Sequence, residues 1–325
     1  MLHIDSKNIR FLSRMGAQGT YGQAIFDMAE DKKNFYVASA DLGVASGLNR
    51  VIKKYSDKFV NVGIAEQSLV SVAAGMADVD SPVYVSSWAP FVTYRCADQI
   101  RIFAGMMKKN IKFIGLASGM HIPKFGATHY GLGDISVVRS IPNITIVSPS
   151  DGLEIYKLVY ESQKYDGPMY IRLTGGDMIP IINEENCDNI EIGKAHILKE
   201  GCDVVIIGCG SILFQAIKAA EKLDEIGISC AVVNMHTIRP LDTKCIDNYS
   251  EHKLIVSLEE HSIMGGLGSA VAEYLAKKDR HTKLVMIGVD DFFPMPGEYD
   301  YLLEQTRLNW KYIYNKIKLE VGSLR

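Results

Sequence analysis

Residues 59–79 read FVNVGIAEQSLVSVAAGMADV. Phe59–Val62 is a short strand-forming run, Gly63 lets the chain turn, and Ala65–Val79 is a helix of mostly small and apolar residues. β-Branched and aromatic side chains suit a pleated strand, and glycine tolerates the sharp turn after it. A helix of Ala, Gly, Val and Met has almost no polar face to give to water, so it is buried nearly all round. A strand–turn–helix unit of this kind belongs inside an α/β layer structure.

The unit recurs along the chain. Strands are expected at 34–38, 59–62, 82–86, 111–117, 144–147 and 169–173, and again at 203–208, 229–234, 253–258 and 283–288. Helical patterns lie between them at 21–30, 65–79, 94–108, 152–164, 213–226 and 269–278. Thr20-Tyr21-Gly22-Gln23 reads as a capping box that starts the first helix, and Ser150-Asp151-Gly152-Leu153-Glu154 offers two overlapping caps. Strands apolar on both faces that alternate with helices mean parallel sheets covered on both sides. The stretch TGGDMIPIINEENCDNIEIG at 174–193 has glycines, a proline and acid–amide clusters with little periodicity. The expected fold is α/β with two doubly wound domains, 1–185 and a smaller 186–325. No internal repeat or low-complexity segment is visible.

Composition limits the function. The 325 residues are 47% hydrophobic and 22% charged, the balance of a globular protein. A net charge of −3 gives no electrostatic drive toward nucleic acid. The longest apolar runs, such as Ile111–Ala117, are far short of the roughly 20 residues of a membrane span. The N-terminus shows no basic region followed by an apolar one, so the expected location is the cytoplasm. The six cysteines have neither C-x-x-C pairs nor zinc spacing and read mainly as small buried hydrophobes. His3, His121, His196, His236, His252 and His281 show no metal spacing and are expected mostly at the surface.

Two glycine clusters invite a phosphate-binding reading. Gly208-Cys209-Gly210-Ser211 follows a strand and opens a helix, but Leu213 stands where a dinucleotide fingerprint has its third glycine. Gly265-Gly266-Leu267-Gly268 reads as a tight turn before a helix, and no Walker A pattern occurs. Neither cluster supports NAD or ATP. Glu66 is more informative. A carboxylate in the first helical turn complements the helix dipole, which is the structural reading. At the edge of a core it also suits a ring nitrogen that must become protonated. Trp88, Phe91 and Tyr94 recur every three residues after a strand, so at a helix start they share one face. Three rings on one face form either a core patch or a slot for a flat heterocycle.

Together, GIAEQ at 63–67, the aromatic triplet and THYGLGDISVVRSIPNITIVSPSDG at 128–152 resemble the pyrimidine-binding domain of transketolase and 1-deoxyxylulose-5-phosphate synthase. GKAHILKEGCDVVIIGCGS at 193–211 and VSLEEHSIMGGLGSAVAEYLA at 256–276 resemble their C-terminal domain. The resemblance spans residues 13–310. It is weaker to the beta subunits of 2-oxo acid dehydrogenases, which share the Glu-Gln pair and the C-terminal domain.

The resemblance implies thiamine diphosphate as cofactor. Glu66 matches the glutamate that hydrogen-bonds the thiamine pyrimidine and so promotes proton removal from the thiazolium carbon. Trp88, Phe91 and Tyr94 match the aromatic slot around that ring. Asp41 matches an acid near the cofactor at the subunit interface, and His129 a histidine that contacts the donor sugar or its phosphate. Arg172 matches an arginine that binds substrate phosphate; an internal Arg–carboxylate pair is the alternative. His261 reads as structural or interfacial.

Two departures from the family matter. The Gly-Asp-Gly motif with a downstream Asn, which holds the divalent metal and diphosphate, does not occur in the 325 residues. The resemblance therefore implies one subunit of a split enzyme. A separate thiamine-diphosphate-binding chain would hold the Mg2+, and self-association would give two copies of each chain. In addition, Phe125 occupies the place of an acid that contacts a donor hydroxyl. A phenyl ring accepts no hydrogen bond there, so a modified, branched or deoxy sugar, or one of different stereochemistry, is expected. The implied activity is transfer of a two-carbon ketol unit from a ketose (phosphate) donor to an aldose. A 2-oxo acid decarboxylating beta-type subunit, a 1-deoxyxylulose-5-phosphate synthase-like enzyme and a non-catalytic scaffold stay open.

Overall fold

The computed structural model describes residues 2–77, 81–183 and 190–323. The expected boundary at 185, Cys187 and the last residues of the expected helix at 65–79 lie outside the described residues. Residues up to 183 form the first half of the chain, and those from 190 the second.

The first half supplies β1 (Tyr36–Ser39), β2 (Phe59–Asn61), β3 (Val83–Trp88), β4 (Ile111–Leu116), β5 (Thr145–Val147) and β6 (Met169–Arg172). The second supplies β7 (His196–Lys199), β8 (Val204–Cys209), β9 (Cys230–Asn234), β10 (Thr237–Arg239), β11 (Leu254–Ser262) and β12 (Leu284–Val289). One sheet has the order β10-β5-β6-β4-β3-β1-β2, the other β12-β11-β8-β9-β7. Pairing is parallel except at two edges, where β10 lies antiparallel on β5 and β7 antiparallel on β9. In the first sheet Val37 stands opposite both Phe59 and Tyr84.

Alternation along the strands explains why both faces are covered. Val83, Val85, Ile111 and Phe113 join a core with the helix Glu66–Met76, while Tyr84, Ile114 and Leu116 meet the helices Ser6–Glu30 and Gly152–Ser162 on the other face. In the second sheet Val205 and Ile207 face one way, and Val204 and Ile206 the other, toward the helices Leu213–Asp224 and Trp310–Gly322. Each fully buried aliphatic side chain contributes about 1.5–3 kcal/mol. The first of these cores runs through both halves without a break, joining Ile135 and Val138 to Leu267 and Val271.

The first helix departs from the expected start at Tyr21. It begins at Ser6, where the Asp5 carboxylate accepts from the Asn8 amide at 2.7 Å, and continues to Glu30 through a kink at Gly16. Thr20 caps nothing; its hydroxyl donates to the Leu12 carbonyl at 2.9 Å across the kink. Gly16 has φ +69°, and a Cβ there would lie 2.5 Å from the Gly176 carbonyl, so the bend needs a glycine twice over. At the helix Gly152–Ser162 both expected caps form. Asp151 accepts from the Glu154 amide at 2.9 Å, and Glu154 reaches back to the Ser150 amide at 2.5 Å. The expected helix at 94–108 is instead a set of short pieces, Ala89–Thr93 and Ala97–Gln99, followed by a π-helical stretch, Ile100–Met106.

Candidate cofactor and substrate site

The turns that leave β1, β2, β3 and β4 meet at the carboxyl end of the first sheet, the usual place for ligands in parallel α/β sheets. Asn61, the last residue of β2, ties two of them together. Its side-chain oxygen accepts from the amides of Asp41 and Gly63, both at 3.0 Å, and its amide nitrogen lies 3.4 Å from the Asp41 carboxylate. Asp41 is exposed and holds φ +58°, a left-handed conformation that Asp adopts more readily than most residues.

Three residues beyond Gly63, Glu66 opens its helix with the carboxylate buried. Its Oε1 accepts from Arg95 at 3.0 Å, while Oε2 has no hydrogen-bond partner among the described residues. The Arg95 guanidinium lies over the Phe91 ring at 3.6 Å, and Gln67 donates to the Arg95 carbonyl at 3.0 Å. Behind them, burial pushes the Cys96 thiol up to about 12, helped by the charge on Glu66.

The ring of His129 stands edge-on to Phe91 at 5.1 Å and is covered by Phe125 at 4.9 Å. His129 Nδ1 is 2.9 Å from the Thr128 hydroxyl. Phe125 itself is 63% exposed, too much for a core residue. Asp41, Glu66, Phe91, Phe125 and His129 therefore sit close together at the carboxyl end of the sheet.

Three other predicted residues lie elsewhere. Trp88 ends β3 in an extended conformation, so the helical spacing begins only after it, and its ring packs with the core beneath the first helix. Tyr94 is half exposed and lies against Gly133, where a Cβ would meet its hydroxyl at 2.0 Å. The three rings thus do not share one face within this chain. Arg172 is fully buried: Nε donates to Asp134 at 2.8 Å, and Nη2 to the carbonyls of Gly131 and Glu260 at 2.9 Å. Its burial leaves no face for a substrate phosphate, which corrects the role carried over from the resemblance. Tyr170 adds a hydrogen bond to the same Asp134 oxygen at 2.6 Å. His261 is buried between Asp134 and Glu259, and Nδ1 donates to the Ser262 carbonyl at 2.7 Å. Burial pulls it below its ordinary 6.5, against the pull of both carboxylates.

The glycine turns of the second sheet are occupied from within. Glu259 accepts from the amides of Leu267 and Gly268 at 2.7 and 2.8 Å, and a Cβ on Gly266 would strike that carboxylate at 2.0 Å. The Ser211 amide donates to Thr174 at 2.9 Å, and the Gly210 amide to the Ser148 carbonyl at 3.1 Å. Among the described cysteines, Cys96, Cys209, Cys230 and Cys245 are buried and free, whereas Cys202 is exposed. His121 and His236 are buried rather than at the surface.

The family model of the transketolase pyrimidine-binding domain matches residues 15–178, and that of the transketolase C-terminal domain matches residues 193–313. The chain belongs to the transketolase family. It is 32% identical over 295 residues to a 6-deoxy-6-sulfo-D-fructose transketolase subunit of Clostridium sp. (strain MSTE9), covering 90% of this chain and 91% of that one. It is 37% identical over 241 residues to an apulose-4-phosphate transketolase subunit of Actinobacillus succinogenes, covering 74% and 77%. A solved structure described as a split gene transketolase, inactive beta4 tetramer, superposes with a TM-score of 0.85 at 29% identity, covering 96% of this chain and 99% of the other. This transketolase-family chain is an enzyme subunit of transferase type.

Two residues of the candidate site were not singled out from sequence. Arg95 follows the aromatic triplet directly, but its partner Glu66 is 29 positions away, beyond any local pattern. Asn61 carried one signal, a polar residue closing a strand two positions before a glycine. Among the described residues no group of three or more His, Cys, Asp and Glu could hold a metal ion, and no helix is long and apolar enough to cross a membrane.

Proposed function

We propose that this chain is the pyrimidine-binding subunit of a two-chain, thiamine-diphosphate-dependent transketolase that moves a two-carbon ketol unit from a ketose donor to an aldose acceptor in the cytoplasm. The observation that carries this reading is Glu66, a buried carboxylate at the carboxyl end of β2 with one oxygen anchored by Arg95 and the other without a hydrogen-bond partner among the described residues. That is the geometry of an acid waiting for a ring nitrogen. Thiamine diphosphate, when bound, supplies the carbon nucleophile and the electron sink. Glu66 would hold a proton at the ring nitrogen, and Arg95 fixes the orientation of its carboxylate. Phe91 offers a flat apolar wall, with Trp88 and Tyr94 flanking it in sequence, and Asp41 stands at the rim.

The diphosphate and its Mg2+ would be held by a separate chain. The exposed side chains Val44, Ile64, Phe125, Phe293 and Met295 give such a partner, or a second copy of this chain, an apolar surface to cover. Two copies of each chain would complete the assembly. His129 would orient the donor, with Phe125 as an apolar wall beside it in place of an acid. A deoxy, branched or otherwise modified ketose fits that wall, in keeping with the sugars named for the two relatives.

The test is reconstitution with a thiamine-diphosphate-binding subunit from the same genome. The expected result is cofactor binding only in the mixture, with ketol transfer abolished by Glu66→Ala in a chain that still folds and assembles. Tight cofactor binding by this chain alone, or an unchanged rate in the variant, would overturn the proposal. Donor screening tests the wall: unmodified ketose phosphates outperforming every other donor would sink it.

A further inference from the structure

Glu260, on β11 of the second half, is buried against a loop of the first. Its Oε1 accepts from the Met120 amide at 2.6 Å. Its Oε2 accepts from the Tyr299 hydroxyl at 2.7 Å and lies 3.1 Å from His121 Nε2. Met120 and His121 begin a loop whose neck is the pair Gly119 and Gly131, bonded amide to carbonyl in both directions at 3.0 and 2.9 Å. Gly119 has φ +72°, and a Cβ there would lie 2.5 Å from Glu260 Oε1, so the neck is shaped to that carboxylate. The same loop carries Phe125 and His129. Its tip is folded by bonds within the loop: the Phe125 amide donates to the Ile122 carbonyl at 3.1 Å, and the His129 amide to the Gly126 carbonyl at 3.0 Å. Toward the second half the tip has weaker ties, a 3.2 Å bond from the Gly297 amide to the Pro123 carbonyl and the exposed pair Lys124–Glu298. The tip therefore goes where its base is held.

We infer that Glu260 is a positioning residue for the transfer reaction: by holding the base of the loop 119–131 it sets where His129 and Phe125 stand toward the donor. This rests on the donor role proposed above for His129. The hold depends on reach more than on charge, because one side chain must meet the Met120 amide and the His121 ring together. Aspartate keeps the charge but is one methylene too short to meet both. Glutamine keeps the length; its oxygen still accepts from Met120, and its amide nitrogen can donate to His121 or to the Tyr299 oxygen. A misplacement of about 1 Å at a reacting group can cost about a hundredfold in rate, so a small release at the neck has a large effect at the tip. Glu259, the preceding residue, is a built-in control. It accepts from the Leu267 and Gly268 amides and makes no hydrogen bond to the loop.

The test has two arms. In the full chain alone, the NMR signals of the His129 ring, assigned by difference against His129→Gln, report its place between Phe91 and Phe125 through the ring currents of both. Glu260→Asp is expected to shift them, whereas Glu260→Gln and Glu259→Ala leave them in place. Tyr299→Phe, which loosens the same carboxylate without moving a buried charge, is expected to shift them in the same direction by less. In the enzyme reconstituted with the thiamine-diphosphate-binding subunit, kcat/KM for the donor is expected to fall about a hundredfold in Glu260→Asp, chiefly through KM, and to stay within about twofold of wild type in Glu260→Gln. His129 signals unmoved in both Glu260→Asp and Tyr299→Phe, equal shifts in Glu259→Ala, or Glu260→Gln behaving as Glu260→Asp would overturn the inference. No ketol transfer by the wild-type mixture, with the signals shifting as expected, would instead overturn the function proposed above and leave the placement by Glu260 standing.

Discussion

Beyond β1 and β2 the chain leaves Asp41 exposed, Gly63 in open space and one oxygen of Glu66 without a partner among the described residues. Beyond β8 and β11, at the corresponding end of the second sheet, the amides of the glycine turns are already taken by Thr174, Ser148 and Glu259. Both sheets end in strand–turn–helix units, and the glycine-rich turns belong to the second. What separates a ligand-ready turn from a structural one is whether the chain has answered its own donors and acceptors.

The comparison can be broken by emptying the satisfied end. The largest loss is expected from Asp134→Ala, which leaves Arg172 as an uncompensated charge beneath the junction of the two sheets. Breaking such a buried pair costs about 3–5 kcal/mol, to be read from urea unfolding. Glu259→Ala, which orphans the Leu267 and Gly268 amides, is expected to cost about 2–3 kcal/mol. A variant that unfolds with wild-type stability would show that water answers these amides equally well.

Acid titration sharpens the comparison further. Burial alone would raise the Glu260 carboxyl, but the His121 ring, the Met120 amide and the Tyr299 hydroxyl outweigh it and hold the group below its ordinary 4.5. A depressed carboxyl contributes stability that is complete above 4.5 and lost as pH falls through its folded value. Thermal midpoints should therefore drop more steeply below pH 4.5 for the wild type than for Glu260→Gln. Parallel curves would remove the carboxylate from the account. The smallest stability change is expected at the open end. Glu66→Gln should shift unfolding by about 1 kcal/mol or less, because its partner Arg95 is half exposed, while ketol transfer by the assembled enzyme is lost.

The sequence showed every strand whose residues are buried on both faces, because continuous β-branched runs leave no other reading. It missed β7 and β10. Both are short antiparallel edges; β7 is only partly buried, and β10 carries a register irregularity. The buried helix-start position of Glu66 was legible from its place after a strand and glycine. The scattering of the aromatic triplet was not, since it turns on Trp88 ending a strand rather than starting a helix. The Thr20 capping box misled because Gly16 kinks a helix already begun at Ser6, and no local signal distinguishes a cap from a hydroxyl bonded across a kink. Arg172 and Asp134 are 38 positions apart, a pairing that only the folded topology reveals.

The seventh strand of the first sheet, β10, comes from the second half and lies on the margin of β5. A fragment ending at residue 183 would keep β5 but lose its cover, exposing a row of unpaired amides and carbonyls. Such a fragment would tend to find that strand on another molecule, so attempts to express the first half alone should yield aggregates, and supplying the second half in trans should return them to solution.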